Sequence, residues 1–254
     1  ISYAIMAEIP FVIVDVQRPR PRQRYITASQ EDVMQARWGH HGEGSAISLA
    51  PSSVQEMFDM TIEAFHLAET WRTPVLLMTE ETVAHMRERF TVPPRESLSI
   101  AKRKKPQDLG IQPDEYLPWG HGLVAPMAAW GDGYALNCVG LTHHEDGNIT
   151  KYSTEMHHRC ISRLKSKIEG HVEEIARLET FYLDDCEHVL ICYGSVFRTA
   201  IEAVEEARKN KGLKVGLVRM VTLWPFAEEK LRRCIGTTGT IFVPEMNYGM
   251  MLHP

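Results

Sequence analysis

Arg18 is the residue whose type and position first suggest chemistry. It follows the run Phe11 to Val16, FVIVDV, an apolar and largely β-branched stretch interrupted by Asp15. Such a run predicts a strand covered on both faces in a parallel sheet, and in open α/β sheets ligands gather beyond the carboxyl ends of the strands. A guanidinium there offers a planar fork of donors matched to a carboxylate or phosphate; it could equally serve in a surface ion pair. Arg20, Arg22 and Arg24 come next. Pro19 and Pro21 hold Arg18 and Arg20 in extended backbone and fan the guanidiniums outward, an arrangement suited to an anionic ligand. His41, beside Gly42, could donate to the same ligand or cap a turn.

Other chemistry-bearing patterns are weaker. Gly194-Ser195 lies at a predicted strand-to-helix turn, where backbone amides could receive a phosphate or the glycine could simply permit the turn. The pairs His40-His41, His143-His144 and His157-His158 invite a metal reading, but adjacent side chains on a helix diverge, so no metal site is expected. The sequence contains no G-x-S-x-G, Walker or G-x-G-x-x-G motif, which removes the main support for serine hydrolase, P-loop and dinucleotide readings. Lys102 to Lys105 reads as a solvated face.

Several elements must position Arg18. Ile1 to Glu8 has helical spacing without a start methionine or a cap, as if cut mid-helix, so the chain is expected to be truncated at its N-terminus. A helix is expected from Ser29, with Glu31 and Asp32 in its first turn, ending at Gly39, and a short strand over 46–49. Ser53-Val-Gln-Glu56 is a capping box opening a helix to Trp71, with Val54, Met57, Phe58, Ile62, Phe65 and Ala68 along its core side. Val75 to Thr79 predicts a second buried strand and 80–87 a helix. From Phe90 to about Tyr134 the composition turns to Pro, Gly, Lys and Trp, as in a long surface connection. A strand over 134–141, a turn at 142–147 and a long helix over 154–179 are expected after it. The last third is a strand (188–193), helix (196–209), strand (214–220) crossover, then a helix from Pro225 and a strand over 240–243. This organisation divides the chain into 1–90, an incomplete α/β domain; 91–180, linker and connecting helix; and 181–254, a second α/β domain with a parallel sheet.

The bulk numbers fit a globular protein with one large or two ordinary domains: 254 residues, 44% hydrophobic and 24% charged,. A net charge of -5 gives no global attraction to nucleic acid. No apolar run approaches the roughly 20 residues of a membrane span, and no secretory leader pattern is present at the start of this sequence. The five cysteines are scattered without a C-x-x-C, which argues for a reducing cytoplasm and against an iron–sulfur or zinc site within this chain.

The segments VDVQR (14–18), DVMQARWGHHGEG (32–44), LAPSSVQEMFDMTIEAFHLAETWRTPVLLMTEE (49–81), GLTHHEDG (140–147), YGSVFRTAIEAV (193–204), VRMVTLWPF and VPEMN (243–247) together resemble the α subunit of 2-oxoacid:ferredoxin oxidoreductases, in order and over nearly the whole chain. Within that family the 2-oxoglutarate and branched-chain 2-oxoacid enzymes are most similar. The resemblance implies an α/β fold with a pyrimidine-type thiamine-diphosphate-binding domain followed by a transketolase C-terminal-like domain. It implies oxidative decarboxylation of a 2-oxoacid to an acyl-coenzyme A, with electrons passing to ferredoxin. Thiamine diphosphate and magnesium would be shared with a β subunit, iron–sulfur clusters would sit on partner subunits, and γ and δ subunits would complete the assembly. Arg18 would hold the 2-oxoacid carboxylate.

Two departures matter. Where the family continues with a glycine-rich G-P-S-T-G loop, this chain has Pro19-Arg-Pro-Arg-Gln-Arg24. The family's Y-P-I-T-P motif and the glutamate that activates the aminopyrimidine belong upstream of Ile1, so this chain is not expected to catalyse alone. Two other readings compete: a non-catalytic α/β module docking an acidic partner or coenzyme A, and the β chain of a 2-oxoacid dehydrogenase.

Overall fold

Pro10 and the β-branched run behind it set the first boundary: helix α1 (Ser2–Met6) stops and strand β1 (Phe11–Gln17) begins. The computed structural model describes residues 1–19, 27–98, 101–149, 153–237 and 239–252; Arg20, Arg22 and Arg24 lie outside them. The first half continues with α2 (Val33–Trp38), β2 (Ile47–Leu49), α3 (Val54–Trp71), β3 (Pro74–Glu80) and α4 (Glu81–His85). A long connection leads to α5 (Thr154–Glu169), α6 (Val172–Ile175) and β4 (Leu178–Phe181). Then come β5 (His188–Tyr193), α7 (Val196–Lys211), β6 (Val215–Met220), β7 (Thr222–Trp224), α8 (Glu228–Ile235) and β8 (Thr240–Phe242).

The strands form two four-stranded sheets, ordered β1-β3-β2-β7 and β4-β6-β5-β8. The expected parallel pairings are present: β1 and β2 both run parallel to β3, and β6 and β8 both run parallel to β5. Each sheet also carries one antiparallel edge strand, β7 on β2 and β4 on β6. The two sheets share a core. One buried cluster holds Val33, Leu76 and Met78 of the first half together with Val189, Ile191, Val218 and Leu223 of the second. On the far side of the first sheet, α3 covers Ile47, Leu49, Val75 and Leu77. On the far side of the second, α7 packs Ala200 and Val204 on Cys192 and Leu217.

Several expectations are corrected. β1 is an edge strand, and Val14 and Val16 are 53% and 46% exposed instead of buried on both faces. The buried stripe of α3 is Met60, Ala64, Ala68 and Trp71, with Phe65 facing outward; the helix is rotated from the expected face. Its cap stands, with Ser53 accepting from the Glu56 amide at 3.2 Å, but the Glu56 carboxylate takes the Ser52 amide at 2.7 Å instead of closing the box on Ser53. α2 starts at Val33 because Gln30 N–H donates to the Met246 carbonyl at 3.0 Å, which holds residues 29–32 off the helix. No strand forms over 134–141. The helix expected over 154–179 ends at Glu169, at Gly170, and residues from Leu178 pair with β6.

Buried charge fastens the long connection to this framework. Glu8, fully buried at the start of the chain, accepts from Lys167 Nζ at 2.6 Å and from the Arg163 guanidinium, both on α5. Lys167 also donates to the Arg72 carbonyl at 2.9 Å. Arg72, at the end of α3, reaches the Pro118 and Ala125 carbonyls of the connection at 2.8 and 3.0 Å. Burial alone would raise the Glu8 pKa, but Lys167, Arg163 and Arg72 outweigh it and bring the carboxyl down to about 2; burial takes the Lys167 ammonium down to about 8 against the pull of Glu8. Removing one partner leaves buried charge uncompensated, so Glu8→Gln should cost about 3–5 kcal/mol in equilibrium unfolding at neutral pH. Since the folded-state pKa of Glu8 is depressed, its contribution is present above the ordinary carboxylate range and is lost as pH falls toward 2,. The wild type should lose more stability than Glu8→Gln over that interval.

Candidate functional site at the strand ends

The carboxyl ends of β1 and β3 lie side by side, with Gln17 in register with Glu80. Gln17 is buried; its amide donates to the Thr79 carbonyl at 3.2 Å and accepts from the Asp32 amide at 3.3 Å. These contacts fix the last residue of β1, and Arg18 follows it, exposed. Its position is the one that strand topology reserves for ligands.

Glu80 is the buried counterpart. Its carboxylate accepts from the Ser195 hydroxyl, from the Ser195 amide at 3.2 Å and from the Gln30 side-chain amide. Burial pushes its pKa above the ordinary value against the pull of these donors. The anion position at the amino end of α7 is therefore filled by the protein's own carboxylate, and the phosphate reading of Gly194-Ser195 gives way to a structural one. Gly194 shows why glycine is needed: its φ is +57°, and a Cβ there would lie 2.0 Å from Glu80 Oε1,. A polar chain extends from this contact. Gln30 donates to the Tyr193 carbonyl at 3.1 Å and accepts from the Met246 amide at 3.0 Å. The Tyr193 hydroxyl donates to Glu245 at 3.0 Å, and Asn247 donates to Glu245 at 2.9 Å. Segments 29–30, 80, 193–195 and 245–247 thus meet at one junction between the sheets. Sequence reasoning flagged Gly194-Ser195 but missed Glu80 and Gln30, because a single Glu or Gln carries no spacing signal.

His41 belongs elsewhere. The turn that holds it leads into the amino end of β2, which is parallel to β1, whereas Arg18 follows the carboxyl end of β1. Ile47 and Val12 both pair with Val75, so Arg18 stands six strand steps, roughly 20 Å, beyond the level at which β2 begins,. His41 donates its backbone N–H to Ser2 Oγ at 2.8 Å and borders a small cavity with His40, His157, Ile161 and Leu164. One small ligand does not reach both His41 and Arg18. His143 packs at a tilt of 43° against Trp119 with ring centroids 4.0 Å apart, and its Nδ1 is 2.7 Å from the Leu141 carbonyl. Among the described residues no group of three or more His, Cys, Asp or Glu side chains converges to hold a metal. Glu80, engaged by Ser195 and Gln30, is not free to meet a pyrimidine ring.

Two mostly parallel sheets sharing one core place the chain in the open-sheet α/β class. Residues 1–163 match the family model described as pyruvate flavodoxin/ferredoxin oxidoreductase, thiamine diphosphate-binding, and residues 186–253 match pyruvate:ferredoxin oxidoreductase core domain II. The chain belongs to this oxidoreductase family. It is 43% identical to 2-oxoglutarate synthase subunit KorA of Methanothermobacter thermautotrophicus, over 100% of this chain and 66% of that protein. It is 32% identical to ketoisovalerate oxidoreductase subunit VorB of Methanothermobacter marburgensis, over 99% of this chain and 63% of that one. A solved structure, 2-oxoglutarate:ferredoxin oxidoreductase from Magnetococcus marinus with 2-oxoglutarate, coenzyme A and succinyl-CoA bound, superposes with a TM-score of 0.86 at 27% identity, covering 99% of this chain and 44% of that one. The chain thus spans about two thirds of the length of these curated relatives.

Ser195→Ala removes a hydroxyl donor from a buried carboxylate and should lower unfolding free energy by about 1.5–3 kcal/mol in denaturant titration. Gly194→Ala should cost more, because it adds a clash to an unfavourable φ.

Proposed function

We propose that this chain is part of the α subunit of a 2-oxoglutarate:ferredoxin oxidoreductase, which converts 2-oxoglutarate and coenzyme A to succinyl-CoA and carbon dioxide while passing two electrons to ferredoxin. The observation that carries this reading is the 43% identity to a 2-oxoglutarate synthase subunit over the whole chain, against 32% to the ketoisovalerate counterpart. Arg18 is the group that binds the 2-oxoacid carboxylate. It is exposed beyond the carboxyl end of β1, and its fork of N–H donors can hold both carboxylate oxygens. Thiamine diphosphate with magnesium is assigned to a site shared with a β subunit, iron–sulfur clusters to partner subunits, and γ and δ subunits to the rest of the assembly. Among the described residues no helix is long and apolar enough to cross a membrane, and no two of the five cysteines are joined in a disulfide; a cytoplasmic location accords with this usage.

In the assembled complex, Arg18→Ala should raise the Michaelis constant for 2-oxoglutarate by roughly 30-fold or more, the loss expected for a charge-assisted bidentate contact. An unchanged constant would remove Arg18 from the substrate site. A panel of 2-oxoglutarate, pyruvate and 2-oxoisovalerate, read as ferredoxin reduction that depends on thiamine diphosphate, tests the substrate. The highest kcat/KM on 2-oxoisovalerate would overturn the assignment.

A further inference from the structure

The second sheet has a strand order that creates a crevice whose lining residues have no part in the proposed role of Arg18. β5 connects through α7 to β6 on one side, and the chain then returns through α8 to β8 on the other side of β5. The two helices accordingly lie on opposite faces. Ala200 and Val204 of α7 pack with Cys192 and Leu217, while Leu231 and Ile235 of α8 pack with Val189 and Ile191. The reversal between β5 and β8 is a topological switch point, and in open α/β sheets ligands bind in the crevice beyond the carboxyl ends of the strands at such a point. Those ends run into Gly194-Ser195 after β5 and Pro244-Glu245 after β8.

A cavity of about 450 Å³ lies at that place, lined by Ser195, Val196, Arg198 and Thr199 of the first strand end and helix, by Pro244, Glu245 and Met246 of the second, and by Thr82 and Met86 from the first half. Its volume falls within the range of ligand pockets, about 300–1,000 Å³. The lining has a distinct polarity. Arg198 supplies a guanidinium, and Thr82 and Thr199 supply hydroxyls that can donate. Val196, Met86, Pro244 and Met246 give apolar wall. Glu245 stands across them with its oxygens already held by the Tyr193 hydroxyl, by Asn247 and by the Met251 amide. It excludes an anion from its own side and leaves an acceptor for a hydroxyl. Arg198 is only partly committed, since one of its terminal nitrogens is paired with Glu88 at 2.7 Å. The amide of Ser195 is taken by Glu80, so ligand recognition rests on Arg198 and the two threonines instead of on the helix end.

We propose that this crevice, which adjoins the end of β1 through Glu80 and Ser195, is a small-molecule site with its own lining and that it takes a phosphate ester of nucleotide size: phosphate on Arg198, Thr82 and Thr199, a hydroxyl-bearing ring toward Glu245, and the remaining body against Met86 and Met246. Calorimetric titration of ADP and of inorganic phosphate into the assembled complex tests it. The expected result is saturable ADP binding with one site per copy of this chain that weakens at least tenfold in Arg198→Ala, tightens several-fold in Glu88→Gln, which frees the guanidinium, and is competed by millimolar phosphate. Arg198 is exposed, and the Glu88 carboxylate also accepts the Val54 amide at 3.2 Å, a bond the Gln carbonyl can still take, so thermal unfolding within a degree or two of wild type confirms that both variants are folded. Absence of ADP binding at this stoichiometry overturns the proposal. ADP binding that is indifferent to both substitutions also overturns it, because the nucleotide then occupies a different site in the complex.

Discussion

One carboxylate holds the two sheets in their relation. Glu80 ends β3 in the first sheet and is bound by the hydroxyl and amide of Ser195, where α7 of the second sheet begins. A buried carboxylate is costly unless its lone pairs are met, and here they are met by donors from the other half of the chain and by Gln30. Separating the halves at this point would strip Glu80 of both Ser195 donors. The same contact determines what the strand ends can offer a ligand: it closes the amino end of α7 and leaves Arg18 as an exposed cation beside it.

A second charged contact works from the opposite direction. Arg219 on β6 is 2% exposed and reaches Glu56 at the start of α3 and Glu179 on β4, with its guanidinium 4.6 Å from the centroid of the Phe197 ring. Burial alone would raise the Glu56 pKa, yet the hydrogen bonds from Arg219 and Ser52 prevail and keep its carboxyl below the ordinary value. Glu56 therefore serves both the helix it helps to start and the neighbouring sheet. Together with the Glu8 network, these contacts show the chain placing charge inside where segments far apart in sequence must keep a fixed geometry.

Much of this was legible in the sequence where the signal is local. The glycine at 212 that ends α7, the serine cap at 53, and the apolar runs of β3, β5 and β6 fix their elements within a few residues. What was not legible depends on partners distant in the chain. Val14 looks like a buried strand residue because its own segment says nothing about whether β1 has a neighbour on both sides. Ser29 looks like a helix cap, but the Met246 carbonyl takes its hydroxyl at 3.2 Å. The candidate site divides in the same way. Arg18 could be found from the end of a strand, whereas the distance that removes His41 from it follows from the parallel register of β2 and β3, which no short motif encodes.

The placement of β7 has a consequence for how this chain is made. Residues 222–224 complete a sheet whose other strands all lie between residues 11 and 80. During synthesis from the amino terminus, the edge of β2 that β7 will cover stays open while the intervening segment is translated, on the order of ten seconds at ordinary elongation rates. An open strand edge is a template for pairing with another chain, and long-range pairings of this kind form slowly. The nascent first sheet is thus the stretch most in need of shelter by a chaperone, and it leaves that state only when nearly all of these residues have emerged from the ribosome.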